Sequence, residues 1–209
     1  IYLSKKLNET GFTLLEFLVM FIFISLLTAW GVPSFQRQIA RQTVNRFSQR
    51  LEAGLYSLRA RQGVMKTSCK MIFDQSTVLT SSAPNNFGAA KDVVELSHLD
   101  PIARKQRMNC SSNLTTNNSF RLLNIENTRD SKNIEVASTR TSFEISPPGT
   151  STSGDSLTLL VRSKKHSTFN PPLAVRCIVF SANGLIKTGL GAIPIVNESK
   201  ESLSGNYHT

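Results

Sequence analysis

The sequence predicts an α+β fold: one long N-terminal stem helix, its first half apolar enough to span a membrane, packed through its second half on an antiparallel β-sheet head. Three observations carry this. Residues 12–32 form an apolar run with a single charge, residues 33–63 place apolar side chains at helical spacing, and from Val64 onward short apolar or β-branched runs alternate with turn-rich polar segments. A length of 209 residues suits one globular domain plus an extension. A mean hydropathy of −0.12 excludes a polytopic membrane protein, and 18% charged residues argues against a charged, disordered chain.

The run from Phe12 to Val32 reads FTLLEFLVMFIFISLLTAWGV, carries only Glu16, and is followed by Pro33. At about 1.5 Å per residue it is about 30 Å long, the thickness of a bilayer core. A buried core helix is the poorer account, because cores seldom offer so long an all-round apolar cylinder. A cleaved secretory signal is the other alternative: Lys5 and Lys6 supply a basic start and Ala29-Trp30-Gly31 small residues at the right spacing. Against it, the apolar stretch is long for such a signal and contains Glu16, a carboxylate that costs several kcal/mol near a membrane segment unless paired or protonated.

The string around that carboxylate is Gly11-Phe12-Thr13-Leu14-Leu15-Glu16, preceded by a polar segment with Lys5 and Lys6. It resembles the signal of type IV prepilins and of the pseudopilins of type II secretion. The resemblance implies that a prepilin peptidase cuts between Gly11 and Phe12, that Phe12 is then N-methylated, and that Glu16 serves assembly with other pilins or pseudopilins. The physics agrees: cleavage creates an α-ammonium at Phe12, which the Glu16 of a neighbouring subunit neutralises within apolar surroundings. Pro33 also lies where pilin stems often carry a proline.

Basic residues flanking the run are Lys5 and Lys6 before it and Arg37, Arg41 and Arg46 after it. By the positive-inside rule this places the C-terminal part in the cytoplasm. The processing string, read as outranking the charge count, places the head in the periplasm, with the chain a single-pass protein of the bacterial inner membrane until it joins a pilus or pseudopilus.

Past Pro33, Phe35, Ile39, Val44, Phe47, Leu51, Leu55 and Leu58 recur at spacings that fit one helix face, with arginines largely between them. The stem is predicted to end near Gly63 with this face packed on a sheet. Strands are predicted at 64–73, 77–80, 93–96, 120–125, 142–145, 156–161, 174–181 and 185–188, with Asn183-Gly184 as the turn of the last hairpin. Segments 109–119 and 146–154 are rich in turn-forming residues and read as loops. The division is therefore a leader at 1–11, a spanning segment at 12–32, an amphipathic stem at 33–63, a head at 64–196 and a polar tail at 197–209.

A stem followed by an all-β head is similar to the H-type minor pseudopilins of type II secretion and the related FimT-type minor pilins. The stem exit Leu55 to Arg61 and the hairpin Arg176 to Gly184 carry that likeness at the two ends of the head. It implies a structural subunit of either machine. Some of these minor pilins bind DNA through a Gly-Arg-x-Arg string on the last hairpin. Here the string is Gly184-Leu185-Ile186-Lys187, so the paired guanidinium fork is lost. Other basic clusters, Arg162, Lys164, Lys165 and His166, and Arg104, Lys105 and Arg107, leave a surface that attracts anions in a salt-dependent way. Arg162, Lys164, Lys165 and Lys187 are the candidate anion-binding residues, and DNA remains a testable partner.

Nothing points to an enzyme. His98, His166 and His208 are scattered, and there is no nucleophile elbow, HExxH string or phosphate loop. No cofactor or metal is expected. Three cysteines lack metal-site spacing and allow at most one bridge. Within the pilin resemblance, Cys69 and Cys110 are placed like a loop-stapling disulfide and Cys177 reads as a small buried hydrophobe. Such a bridge persists in an oxidising periplasm.

Lys+Arg 24 against Asp+Glu 14 gives a formal charge of +10. Removing residues 1–11 takes away Lys5, Lys6 and Glu9, so the mature chain keeps +9. The basic excess belongs to the stem face and head.

Overall fold

The computed structural model describes residues 13–95, 100–109 and 130–191. The predicted leader at 1–11, Phe12, His98, Cys110, the predicted strand at 120–125, most of the predicted 109–119 loop and the predicted tail lie outside these residues. A single helix, α1 (Leu14–Met65), opens the described chain and runs through Pro33 without a break. Two compact units meet within it, residues 1–39 and 40–209.

In the first unit the helix side chains are exposed: Phe17, Phe21, Phe23 and Leu27 are 62%, 57%, 58% and 73% accessible. The polar groups of this stretch turn inward on the backbone. Ser25 and Thr28 donate to the Ile22 and Ile24 carbonyls at 2.7 and 2.9 Å, and Ser34 donates to the Gly31 carbonyl at 2.9 Å. Hydroxyls satisfied within their own helix are compatible with apolar surroundings.

In the second unit the same helix becomes the centre of a core. Val44, Phe47, Leu51, Leu55 and Leu58 are buried, at the predicted helical spacing. Phe35 and Ile39 share the periodicity yet are exposed, because periodicity marks an apolar stripe and not which part of it is covered. The stem, predicted to end near Gly63, runs two residues farther, to Met65; Lys66 follows with a φ of +52°, the left-handed conformation, while its N–H still donates to the Gln62 carbonyl at 3.0 Å.

Among the described residues, nine strands and a short helix follow: β1 (Cys69–Ile72), β2 (Gly88–Ala89), α2 (Pro101–Arg107), β3 (Met108–Asn109), β4 (Ile134–Ser138), β5 (Ser142–Ser146), β6 (Thr150–Ser151), β7 (Leu157–Ser163), β8 (Val175–Phe180) and β9 (Ile186–Gly191). They form two antiparallel sheets, ordered β3-β1-β5-β6 and β2-β4-β7-β8-β9. Met71, Phe143 and Ile145 of the first sheet join Val136, Leu159, Ile178 and Phe180 of the second in one cluster with the helix. Phe143 and Phe180 meet edge to face at 5.3 Å between centroids. The fold is thus α+β, a long N-terminal helix packed on antiparallel sheets.

The central strand β7 is buried on both faces: Leu157, Leu159 and Val161 face the main core, and on the outer side Leu160 joins a second cluster with Leu79, Ala137 and Val175, against which Phe87 packs. Segments 142–145, 156–161, 174–181 and 185–188 are strands within two or three residues of expectation. Three expectations fail. The strand forecast from Val64 begins only at Cys69, since the helix takes the first residues. Thr77 to Thr80 is a 3-10 turn over Gln75–Thr77 followed by one parallel bridge from Val78 to Ser138. Val93 to Glu95 belongs to a π-helical turn, Lys91–Glu95, which buries both valines as a strand would but presents them from one side.

Candidate functional site

The N-terminus of α1 is built by a reciprocal cap. The Thr13 N–H and hydroxyl donate to one Glu16 carboxylate oxygen at 2.9 and 3.1 Å, and the Glu16 N–H donates to the Thr13 hydroxyl at 3.3 Å. The Phe17 N–H to Thr13 carbonyl bond, 3.2 Å, is the first of the helix. Four orphan donors open any helix, and a Thr-x-x-Glu box satisfies two of them. Glu16, singled out above for its charge, therefore also holds the first turn. The Thr13-x-x-Glu16 spacing was the signal that would have shown it. The carboxylate additionally sits at the positive end of the helix dipole, a favourable place for a negative charge.

Beyond this cap the helix is long and apolar enough to cross a membrane, and none of that stretch is buried within the chain. Leu14 to Leu27 presents exposed Leu, Phe, Ile, Val and Met around the whole cylinder. Water is a poor solvent for such a surface; lipid or other apolar helices suit it.

The basic residues of the head are spent differently from one another. Arg162 donates through Nε to the Glu135 carboxylate at 2.9 Å and lies over the Phe87 ring at 3.8 Å, so its guanidinium is already engaged on the outer face of the sheet. Lys164 and Lys165 are exposed at the turn after β7. Lys187 is exposed on β9, in register with Val179 and through it with Thr158. Thr158 is four residues back along β7 from Arg162, about 13 Å, and β9 is two strands across, about 10 Å. The four candidate residues do not converge on one site.

Other arginines tie elements together. Arg46 and Arg50, one turn apart on α1, reach the two oxygens of Asp130 at 3.2 and 3.4 Å, and Arg176 donates to the Asn45 side chain at 2.8 Å. Arg107 pairs with Asp74 at 2.9 Å and Arg140 with Asp155 at 3.0 Å. The Arg59 side chain runs beside Gly149 and Gly184, both at positive φ. A Cβ at Gly184 would collide with the Gly149 carbonyl, so this glycine of the final hairpin is required by space as well as by its φ of +82°.

Two titratable groups of the head have pKa values raised by burial. Glu95 is 2% exposed and one of its oxygens has no hydrogen-bond partner; desolvation raises its carboxyl above the ordinary range, more than the hydrogen bond from Ser131 lowers it. Burial likewise raises the Cys177 thiol, which is free and half-buried on β8 and so poorly reactive. Cys69 is disulfide-bonded; its expected partner Cys110 lies outside the described residues. Among the described residues, no group of three His, Cys, Asp or Glu side chains could hold a metal.

Comparison with known protein families, curated proteins and solved structures finds no match to this chain.

Proposed function

We propose that the chain is a minor pilin or pseudopilin, a structural subunit of a type II secretion pseudopilus or type IV pilus. The observation that carries the reading is the Gly11-Phe12-Thr13-Leu14-Leu15-Glu16 string standing directly before a helix whose first part is exposed, apolar and capped through Glu16. In this reading prepilin peptidase cuts after Gly11 and Phe12 is N-methylated. The stem stays in the inner membrane with the head in the periplasm, and assembly exchanges lipid for the stems of other subunits. Glu16 then has two tasks: one oxygen holds the Thr13 cap, leaving the carboxylate's second oxygen for the ammonium of an adjacent subunit's Phe12. Pairing of Cys69 with Cys110 fits an oxidising compartment, and the β1–β3 register, which matches Lys70 with Asn109, stops one residue short of Cys69.

DNA binding is the weaker reading, because Arg162 is held by Glu135 and Phe87 and the remaining lysines are dispersed. Mass spectrometry of the chain recovered from its producing bacterium tests the proposal. N-methyl-Phe12 as the mature terminus supports it. An intact leader supports an unprocessed single-span anchor, and a terminus near Val32 supports ordinary secretion. Glu16→Ala is expected to be cleaved normally and to fail in assembly, and normal filament incorporation of that variant would exclude the role given to Glu16.

A further inference from the structure

Glu95 is a buried titratable group that neither the stem nor its cap uses. It ends the π-helical turn Lys91–Glu95, directly after the core residues Val93 and Val94, and is 2% exposed. Its carboxyl takes a hydrogen bond from the Ser131 hydroxyl, while Oε1 has no partner. A buried carboxylate with one oxygen unpaired is costly, and one hydroxyl bond does not offset the cost. The π-helical turn packs against β2 and β4. β2 holds no titratable residue, and on β4 Glu135 turns to Arg162. In the adjoining 130–133 segment Lys132 is exposed, and Asp130 turns to Arg46 and Arg50 of α1. Lys91, on the turn itself, is also exposed. Among the described residues the charge that acts on Glu95 is that of Asp92, a like charge, which favours the neutral carboxyl as burial does.

The place of Ser131 makes the contact consequential. It opens the 3-10 turn Ser131–Asn133, which leads into β4: the Asn133 N–H donates to the Asp130 carbonyl at 3.1 Å, and the Ile134 N–H to the Ser131 carbonyl. Asp130, immediately before it, is the carboxylate that Arg46 and Arg50 share at 3.2 and 3.4 Å. One dipeptide therefore joins α1 to the turn that carries Glu95. We propose that Glu95 and Ser131 form a proton-operated clasp, closed while the Glu95 carboxyl is neutral and opened when it gives its proton to solvent. On ionisation the carboxylate moves out to water, the Ser131 bond breaks, and the segment that carries the counter-charge of Arg46 and Arg50 loosens. The closed clasp binds its proton more tightly than the open one, since burial raises the carboxyl above its ordinary range. Opening is favoured as pH rises through that interval and closure as it falls. The device stands apart from the pilin reading.

The test uses the full chain in detergent micelles, with 13C-labelled glutamate. The Glu95 carboxyl signal, assigned by its loss in Glu95→Gln, is expected to titrate above the ordinary value of about 4.3. A midpoint at or below that value overturns the proposal. Amide hydrogen exchange, corrected for intrinsic rates, is followed over the same pH range. The Asn133 and Ile134 amides are expected to exchange faster than those of β7. Their protection is expected to fall about tenfold per pH unit between the ordinary carboxylate value and the Glu95 midpoint, and to level off above it. Exchange no faster than that of β7 overturns the clasp, by showing that the segment opens only when the whole head unfolds. In Glu95→Gln the fall with pH is expected to vanish, and a persisting fall overturns the clasp too. Where that variant does not fold, Asp92→Asn serves: with the like charge removed, the Glu95 midpoint and the end of the fall are expected to move to lower pH together. Any other result for Asp92→Asn overturns the coupling.

Discussion

Residues 14–39 and 40–65 belong to one uninterrupted helix, yet Phe21 in the first part is 57% exposed and Phe47 in the second is fully buried. Composition explains the difference. The first part is apolar on nearly every side and so has no preferred face to bury, whereas Asn45, Arg46, Gln49, Arg50 and Glu52 between Val44 and Leu58 leave one apolar stripe, which the sheets cover. Helical propensity and length are shared; what differs is which solvent each half is made for.

The sharpest way to break that comparison is one substitution placed in both halves. Leu51→Ala is expected to cost about 2–5 kcal/mol, because it leaves a cavity among buried neighbours. Leu18→Ala, which empties nothing inside the chain, is expected to leave the denaturant midpoint of the head unchanged. Equal effects would show that the apolar half is packed within the chain after all.

Glycine gives the next contrast. Gly184→Ala meets both a positive φ and the Gly149 carbonyl and is expected to cost about 1–3 kcal/mol or more. Gly63→Ala meets nothing within 4 Å in the last turns of α1 and is expected to stabilise by about 0.5–1 kcal/mol. Opposite signs in thermal unfolding check that α1 continues through Gly63 to Met65.

Two carboxylates separate core from surface through pH. Glu95, raised by burial, binds its proton more tightly folded than unfolded, so its contribution is present at low pH and lost as pH rises above the ordinary carboxylate range. Glu95→Gln is expected to be more stable than the parent at about pH 8 and to converge with it at about pH 4. Asp74 is lowered, first by the Ser76 N–H and then by the Ser76 hydroxyl, against a small desolvation, with Arg107 assisting. Its contribution is present above the ordinary range and lost as pH falls, so Asp74→Asn is expected to flatten the acid side of the stability profile slightly. Parallel denaturation series at the two pH values read both. Smallest of all, Lys164→Glu with Lys165→Glu is expected to leave stability unchanged and to weaken only salt-sensitive adsorption to polyanions, measured by retention on heparin.

Much of the head was legible where local pattern and tertiary burial agree. The Asn183-Gly184 turn, the long β8 run and the helical stripe from Val44 to Leu58 each state their element within a few residues. Strand β4, Ile-Glu-Val-Ala-Ser, was missed although Ile134 and Val136 alternate with Glu135, since five residues with one charge are a weak signal beside the polar stretch before them. The two-residue strands β2, β3 and β6 carry no periodicity at all and exist because a neighbour supplies the other half of the ladder. At the candidate site, Glu16 was found from the unlikely place of its charge, while its capping bond to Thr13 went unseen. Arg162 illustrates the opposite limit: a basic cluster counts charges along the chain, and the Glu135 carboxylate that answers this one comes from another strand.

The helix's passage from one unit into the other has a mechanical consequence. A pull on residues 14–39 enters the head along the backbone hydrogen bonds of α1 and is taken up by Val44, Phe47, Leu51, Leu55 and Leu58 together, so the load is sheared across five core side chains instead of peeling one strand at a time. Pro33 is the exception along that line, since it has no N–H to pass tension to the turn before it. Under axial force the helix should lengthen there first, upstream of every residue that holds the head together.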